Sequence, residues 1–266
     1  MIPKIAHLIW LGSNIKFSSI DFIISFFKEN PDYQIYIWSD DEKFIKSTLN
    51  TRNHGYFSNI LVSQRFNIKN IELLKKLSDP VILQSFEAVR REVNGYKINY
   101  AAASDILRLM ILRKYGGLYL DEDIRFSRVH NPIGQLTSRN SFMIGAWPGF
   151  FSNAMLASTV SSQFTFHALS SINNAYLTNR ENFPTRLEFI NLSHRRSKKD
   201  FSILKYTMRL TGPELLISIL TKFYPRLWDG DELDDDIKFP YENFGIPPSE
   251  AVWKNLFKNT NHDTLK

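Results

Sequence analysis

Cysteine is absent from the 266 residues. Its absence excludes a disulfide framework, a thiolate nucleophile and any cysteine-held metal, so a metal in this chain has to be taken by oxygen or histidine. Long apolar runs are missing as well. The richest stretch, "SIDFIISFF", is far too short to span a bilayer. The opening "MIPKIAHLIWLG" has neither a basic leading region nor a long apolar centre, so no secretion signal is expected there. No G-x-x-x-x-G-K-[ST] occurs, which removes the P-loop nucleotide hydrolases. No helix-turn-helix or zinc-finger spacing accompanies the basic residues, and the aromatics do not interleave with them, so no nucleic-acid partner is expected. Acidic charge is in the minority, 27 Asp and Glu against 33 Lys and Arg for a net +6. The basic clusters "VRREVNGYK" and "SHRRSKKD" read most simply as solvated surface, with peripheral contact to an anionic membrane left open.

What is present suffices for one core. With 43% hydrophobic residues, a single domain over residues 1–266 is expected, as a monomer. "PKIAHLIWLG" reads as a buried first strand ending at Trp10 and Gly12. "SIDFIISFFKENP" follows at helical spacing, with Ser19 or Asp21 as cap and Pro31 as stop. "YQIYIWSD" alternates as a second strand and "DEKFIKSTL" returns to helix, the signature of an α/β domain with a mainly parallel sheet. A helical insertion is expected over about residues 55–97, its two helices interrupted at Asp79-Pro80, and a variable helical region over about 160–210. "SFMIGAW" and "NAMLAS" read as further strands, and Pro213 in "RLTGPELL" suits the first position of a helix. "DGDELDDD" lacks the glycine and closing glutamate of a calcium loop and reads as solvated acid.

The informative segment is "INYAAASDILRLMILRKYGGLYLDEDIRF". Its first part is apolar almost all round, so the helix has to be buried, yet Asp105 and Arg108 share one of its faces. Two glycines stop the helix. Leu118, Tyr119 and Leu120 then enter the sheet, and strand alternation sends Asp121 and Asp123 to one side with Glu122 opposite. Carboxylates at i and i+2 stand about 7 Å apart at their β-carbons, too wide to share a proton and suited to straddling a hydrated Mg²⁺ or Mn²⁺. Such a pair is an incomplete shell. It implies a phosphate-bearing ligand at the carboxyl ends of the strands, where Trp10 would also stand.

The string "NYAAASDILRLMILRKYGGLYLDEDI" strongly resembles the DXD-type glycosyltransferases, in particular the glucosylating catalytic domains of large bacterial toxins and related sugar transferases. "IPKIAHLIWLG" and "NPDYQIYIWSD" resemble the same family's first two strands. The resemblance implies a GT-A fold, an open and mainly parallel sheet flanked by helices with helical insertions, and a retaining, metal-dependent transferase using a UDP-sugar with Mn²⁺ or Mg²⁺. It implies that Trp10 stacks on uracil, that Asp105 and Arg108 hold the donor sugar with Arg108 near the diphosphate, that Asp121 contacts ribose or sugar and a metal-bound water, and that Asp123 binds the metal. Tyr119 and Ser104 would support them, and Asn153 and Thr211 to Pro213 resemble weaker landmarks near donor and acceptor.

The family usually closes with a Ser- and Trp-bearing segment, and here "NTNHDTLK" reads either as the start of that segment, at His262 and Asp263, or as a replacement for it. His262 is therefore a candidate metal ligand beside Asp121 and Asp123, with Asp263 next to it, and Glu250 and Trp253 candidate lid residues. The acceptor implied by the toxin-like "AAASDILR" is a host protein such as a small GTPase, reached as a delivered effector; the alternative is a transferase of bacterial polysaccharide or lipooligosaccharide assembly acting in the cytoplasm. A non-catalytic module that holds a nucleotide sugar is the remaining reading. Glucose and N-acetylglucosamine are both open as the sugar.

Overall fold

In the computed structural model, residues 1–12, 17–52, 63–76, 78–94, 98–121, 124, 133–147, 150–178, 207–227 and 233–239 are described. The first half alternates strand and helix. Strand β1 (Ile5–Trp10) leads to helix α1 (Phe17–Glu29), β2 (Gln34–Ser39), α2 (Glu42–Arg52) and β3 (Phe66–Asn70). Next come a 3-10 turn at Ile71–Lys76, helix α3 (Pro80–Asn94), helix α4 (Tyr100–Tyr115) and strand β4 (Gly117–Leu120). Strands β5 (Phe142–Trp147) and β6 (Phe150–Ser158), then α5 (Gln163–Thr178) and α6 (Pro213–Phe223), complete the described elements.

The six strands form one sheet in the order β3-β2-β1-β4-β6-β5. Strands β3, β2, β1 and β4 run parallel to one another, while β6 is antiparallel to both β4 and β5. This is the expected mainly parallel sheet flanked by helices. Its apolar residues divide by strand alternation into two layers. Ala6, Leu8 and Trp10 of β1 pack with Leu118 and Leu120 of β4 and with Ile23 and Phe26 of α1. Ile9, Trp38 and Tyr119 point to the other side, into the layer that holds α3, α4, α5 and α6.

The expectations fare unevenly. Pro80 opens α3, with Asp79 Oδ1 accepting the Val81 N–H at 3.0 Å, so the break at Asp79-Pro80 is a helix start. Pro213 stands in the first turn of α6 as expected. The segment read as a helical insertion, however, contains β3, paired in parallel with β2. Phe66 and Ile68 alternate with Asn67 and Lys69 as a strand requires, but over only five residues, too short a run to stand out from the helical spacing around it. Neither Ser19 nor Asp21 caps α1, since both lie inside it. The strand read at "NAMLAS" is longer and begins at Phe150. The region 160–210 holds α5 and, beyond it, a helical stretch at 207–210; residues 179–206 are outside the described part. Asp236, read as solvated acid, instead accepts from the Ser138 hydroxyl at 3.1 Å, the Arg139 N–H at 3.0 Å and the Asn140 side chain at 2.9 Å, holding the turn before β5.

Candidate active site

Helix α4 is the spine of the site. Asn99 caps it, its Oδ1 accepting the Ala102 N–H at 3.1 Å, and from Ala102 to Leu112 almost every residue is buried. The double glycine ends it. Gly116 has φ +60° and returns its N–H to Leu112 at 2.8 Å, and Gly117 has φ +97°. A Cβ on Gly117 would collide with the Ile5 carbonyl oxygen, so only glycine lets the chain fold back beside β1 within one residue.

That reversal brings Tyr119 and Asp121 back along α4. Arg108 is the hub. Its Nη2 stands 2.8 Å from Asp105 Oδ1 and 3.3 Å from Asp121 Oδ1. Its Nη1 donates to the Asn153 carbonyl at 2.5 Å and its Nε to the Ser104 carbonyl at 3.3 Å. The guanidinium carbon also lies 4.4 Å above the Tyr119 ring. Arg108 is 4% exposed and Asp105 6%, so neither charge faces water, and each is satisfied by protein.

Asp105 is held on every side. Its Oδ1 accepts the Asn153 amide at 2.8 Å and its Oδ2 the Thr211 hydroxyl at 2.9 Å. Burial pushes its carboxyl above the usual range, and the Arg108 charge with the Thr211 and Asn153 hydrogen bonds pulls part of the way back. Tyr119 donates its hydroxyl to Asp121 Oδ1 at 2.5 Å, with Ser104 Oγ 3.3 Å from the same phenol. Burial drives the Tyr119 phenol well above its ordinary value, with Arg108 working against that rise and Asp121 adding to it. The phenol therefore stays a donor at neutral pH.

Seven residues picked from the sequence, Ser104, Asp105, Arg108, Tyr119, Asp121, Asn153 and Thr211, thus share one connected network. Asn153 arrives by a device the sequence does not announce. Between β5 and β6 the register jumps from Ile144 opposite Leu156 to Gly145 opposite Ser152, so Asn153, Ala154 and Met155 fall outside it. The bulge turns Asn153 toward α4, while Asp121 keeps its place through its N–H to the Ala154 carbonyl at 2.8 Å.

Trp10 is not in the network. It is 3% exposed and lies in the α1 and α2 layer, on the face of the sheet opposite Tyr119, so a base could stack on it only after the groups covering it moved aside. Beside it the edge is shaped by Gly12, whose N–H reaches both Asp40 carboxylate oxygens at 3.2 Å and whose φ of +76° carries the chain past the Tyr100 ring. Asp123, His262, Asp263, Glu250 and Trp253 lie outside the described residues.

One buried residue went unread. His7 has no exposure, lies 2.9 Å through Nε2 from the Gly116 carbonyl and receives the Trp38 indole N–H on Nδ1 at 3.2 Å. A ring that accepts at Nδ1 must carry its proton on Nε2, so the tautomer follows from the partners. Burial lowers its pKa to about 4, against the helping Gly116 carbonyl, with Lys69 adding a smaller depression. His7 ties the glycine corner to β1 and β2. A histidine inside an apolar strand run was its only signal.

Asp121 is the described candidate for holding a metal. Its side chain is 26% exposed, and two carboxylates facing one guanidinium give Asp105, Arg108 and Asp121 a formal balance of one negative charge. No group of three or more candidate ligands stands together among the described residues. A hard cation bound by one or two carboxylates, water and phosphate oxygens needs no such group, so the donor chemistry fits.

Residues 18–139 match the family described as glycosyltransferase sugar-binding region containing DXD motif. Over 230 residues the chain is 24% identical to the Legionella pneumophila protein named Subversion of eukaryotic traffic protein A, covering 83% of this chain and 32% of that protein. Over 184 residues it is 27% identical to inositol phosphoceramide mannosyltransferase 1 of Schizosaccharomyces pombe, covering 66% of this chain and 46% of that protein. The chain thus spans less than half the length of either relative. In fold it is similar to the UDP-bound glycosyltransferase domain of the YGT toxin, with a TM-score of 0.64 at 16% identity, over 92% of this chain and 80% of that one.

Proposed function

We propose that this DXD-type glycosyltransferase moves a hexose, glucose or N-acetylglucosamine, from a UDP-sugar to an acceptor hydroxyl with retention of configuration and with Mn²⁺ or Mg²⁺ as cofactor. The observation that carries the reading is the network in which Arg108 joins Asp105 to Asp121 at the end of β4, beside the edge where parallel strands present ligands.

Each residue then has a task. Asp105, aligned by Asn153 and Thr211, accepts hydrogen bonds from hydroxyls of the donor sugar. Arg108 turns positive charge toward the diphosphate as the sugar–phosphate bond breaks. Asp121, oriented by the Tyr119 hydroxyl, faces ribose or sugar and a metal-bound water. A divalent cation held through Asp121 and Asp123, with His262 as a further candidate ligand, would supply Lewis-acid charge against the departing diphosphate. Front-side substitution, the acceptor proton passing to the leaving phosphate, is the retaining route that the family resemblance supports. Trp10 enters as a base-stacking residue once uncovered.

Two acceptor classes are supported. Likeness to toxin domains and to a Legionella protein named for subverting eukaryotic traffic supports a host protein, such as a small GTPase, reached by a delivered effector. The fungal relative named as a mannosyltransferase of inositol phosphoceramide supports a glycan or lipid headgroup. Among the described residues no helix is long and apolar enough to cross a membrane.

The test is UDP release from a panel of UDP-sugars with and without Mn²⁺, followed by mass spectrometry of candidate acceptors. Release should require the metal and fall at least about a hundredfold in Asp123→Ala, the equivalent of roughly 2.7 kcal/mol. Equal release in chelator, or none with any donor, would defeat the reading.

A further inference from the structure

Asn99 makes contacts that capping a helix does not require. A cap needs only an oxygen, which serine, threonine or aspartate supplies as well. Here Oδ1 accepts the Ala102 N–H, while Nδ2 donates to Thr207 Oγ1 at 3.0 Å. Oxygen toward an N–H and nitrogen toward a hydroxyl oxygen sets the amide's orientation, and asparagine offers that combination at this length. Glu92 is itself 7% exposed, receives the Tyr176 hydroxyl at 2.5 Å, and takes the Asn99 backbone N–H on its carbonyl at 2.8 Å. Asn99 therefore stands at a junction of α3, reached by its backbone N–H, and of α4 and the turn at 207–211, reached by its side chain.

That turn leads back to the sugar-binding carboxylate. The Thr207 carbonyl accepts the N–H groups of Thr211 at 3.0 Å and Gly212 at 2.9 Å, and lies 3.0 Å from Thr211 Oγ1. Thr211 has one hydroxyl proton and two acceptors in reach, Asp105 at 2.9 Å and the Thr207 carbonyl. Where Thr207 stands decides how the hydroxyl meets Asp105.

We propose that Asn99 is a positioning residue. One amide caps the helix that carries Asp105 and Arg108 and clamps the turn that carries Thr211, and so fixes the register between the Thr211 hydroxyl and Asp105. The inference rests on the reading of Asp105 as a donor-sugar ligand.

Asn99→Ser keeps a capping oxygen but removes the amide NH2 that reaches Thr207, and Thr207→Val deletes the acceptor while leaving the cap untouched. Hydrogen exchange by NMR on the whole chain should show the Thr211 and Gly212 amides exchanging about tenfold faster or more in either variant, with α4 amides from Ala103 to Leu112 unchanged. In UDP-sugar hydrolysis, Asn99→Ser should lower kcat/KM about tenfold, mainly through KM, yet add less than about twofold in a Thr211→Val background. Unchanged exchange at Thr211 and Gly212 overturns the proposal. So does loosening of the whole of α4 in Asn99→Ser, which marks a plain cap, or full multiplication of the two kinetic effects. If the wild type hydrolyses no donor, the functional reading falls while the exchange measurement still decides the clamp.

Discussion

Arg108, in the middle of a buried helix, meets Asp121, the first residue beyond a buried strand, at 3.3 Å. The contact closes over a two-glycine corner. Helix and strand are consecutive in the chain, so a single sharp reversal lays one along the other and lets a guanidinium bridge two carboxylates. Because Arg108 also holds the Asn153 carbonyl, a third element is tied to the same point.

Replacing that fork with a point charge should be severe. A lysine ammonium cannot serve Asp105, Asp121 and the Asn153 carbonyl together. Arg108→Lys is expected to lower kcat/KM for donor hydrolysis by at least about a hundredfold, roughly 2.7 kcal/mol of transition-state stabilisation. Urea unfolding should show a loss of about 3 kcal/mol, since Asp105 would be left buried and poorly paired.

Tyr119→Phe separates orientation from packing. The ring and its contact with the Arg108 guanidinium remain, while Asp121 loses a hydroxyl donor. Steady-state kinetics should show kcat/KM reduced about tenfold, and unfolding should shift by no more than about 1.5 kcal/mol. Loss of fold with unchanged specific activity would contradict the role assigned to Tyr119.

His7 gives a pH signature. Its folded pKa of about 4 lies below the ordinary 6.5, so its contribution to stability is complete above 6.5 and is lost as pH falls toward 4. Between pH 7 and pH 5 this group alone should cost the fold about 2 kcal/mol. His7→Gln, which cannot titrate, should show a shallower loss in that window when unfolding is followed at both pH values. The carboxyls of Asp105 and Glu92 are shifted upward by burial, so they act with the opposite sign and are common to both proteins. The difference between wild type and variant isolates the imidazole.

Gly117→Ala tests the corner. A side chain at φ +97° is strained, and its Cβ would meet the Ile5 carbonyl oxygen, which belongs to backbone and cannot swing away. The variant should lose about 3 kcal/mol or more in chemical denaturation, or fail to accumulate as soluble protein. A neutral effect would mean that the double glycine does not set the reversal.

The sequence by itself determined the α/β class, the buried helix, the glycine stop and most of the cluster. Asp105 and Arg108 were legible because charge on an all-apolar helix has to be satisfied by protein, and Asp121 because it follows a strand fixed in place by that helix. Short-range rules sufficed, since 3.6-residue and two-residue periods say which face a side chain takes. Tertiary structure alone decided the rest. Outer strand β3 shows its alternation over only five residues, and its parallel pairing with β2 is a long-range contact. Asn153 owes its aim to a register jump between β5 and β6, and Trp10 its burial to the layer that β1 turns toward α1 and α2. Why position 99 carries asparagine depends on Thr207, a residue brought to it from a distant stretch of the chain. Such facts arise from which surfaces meet, and no local period encodes that.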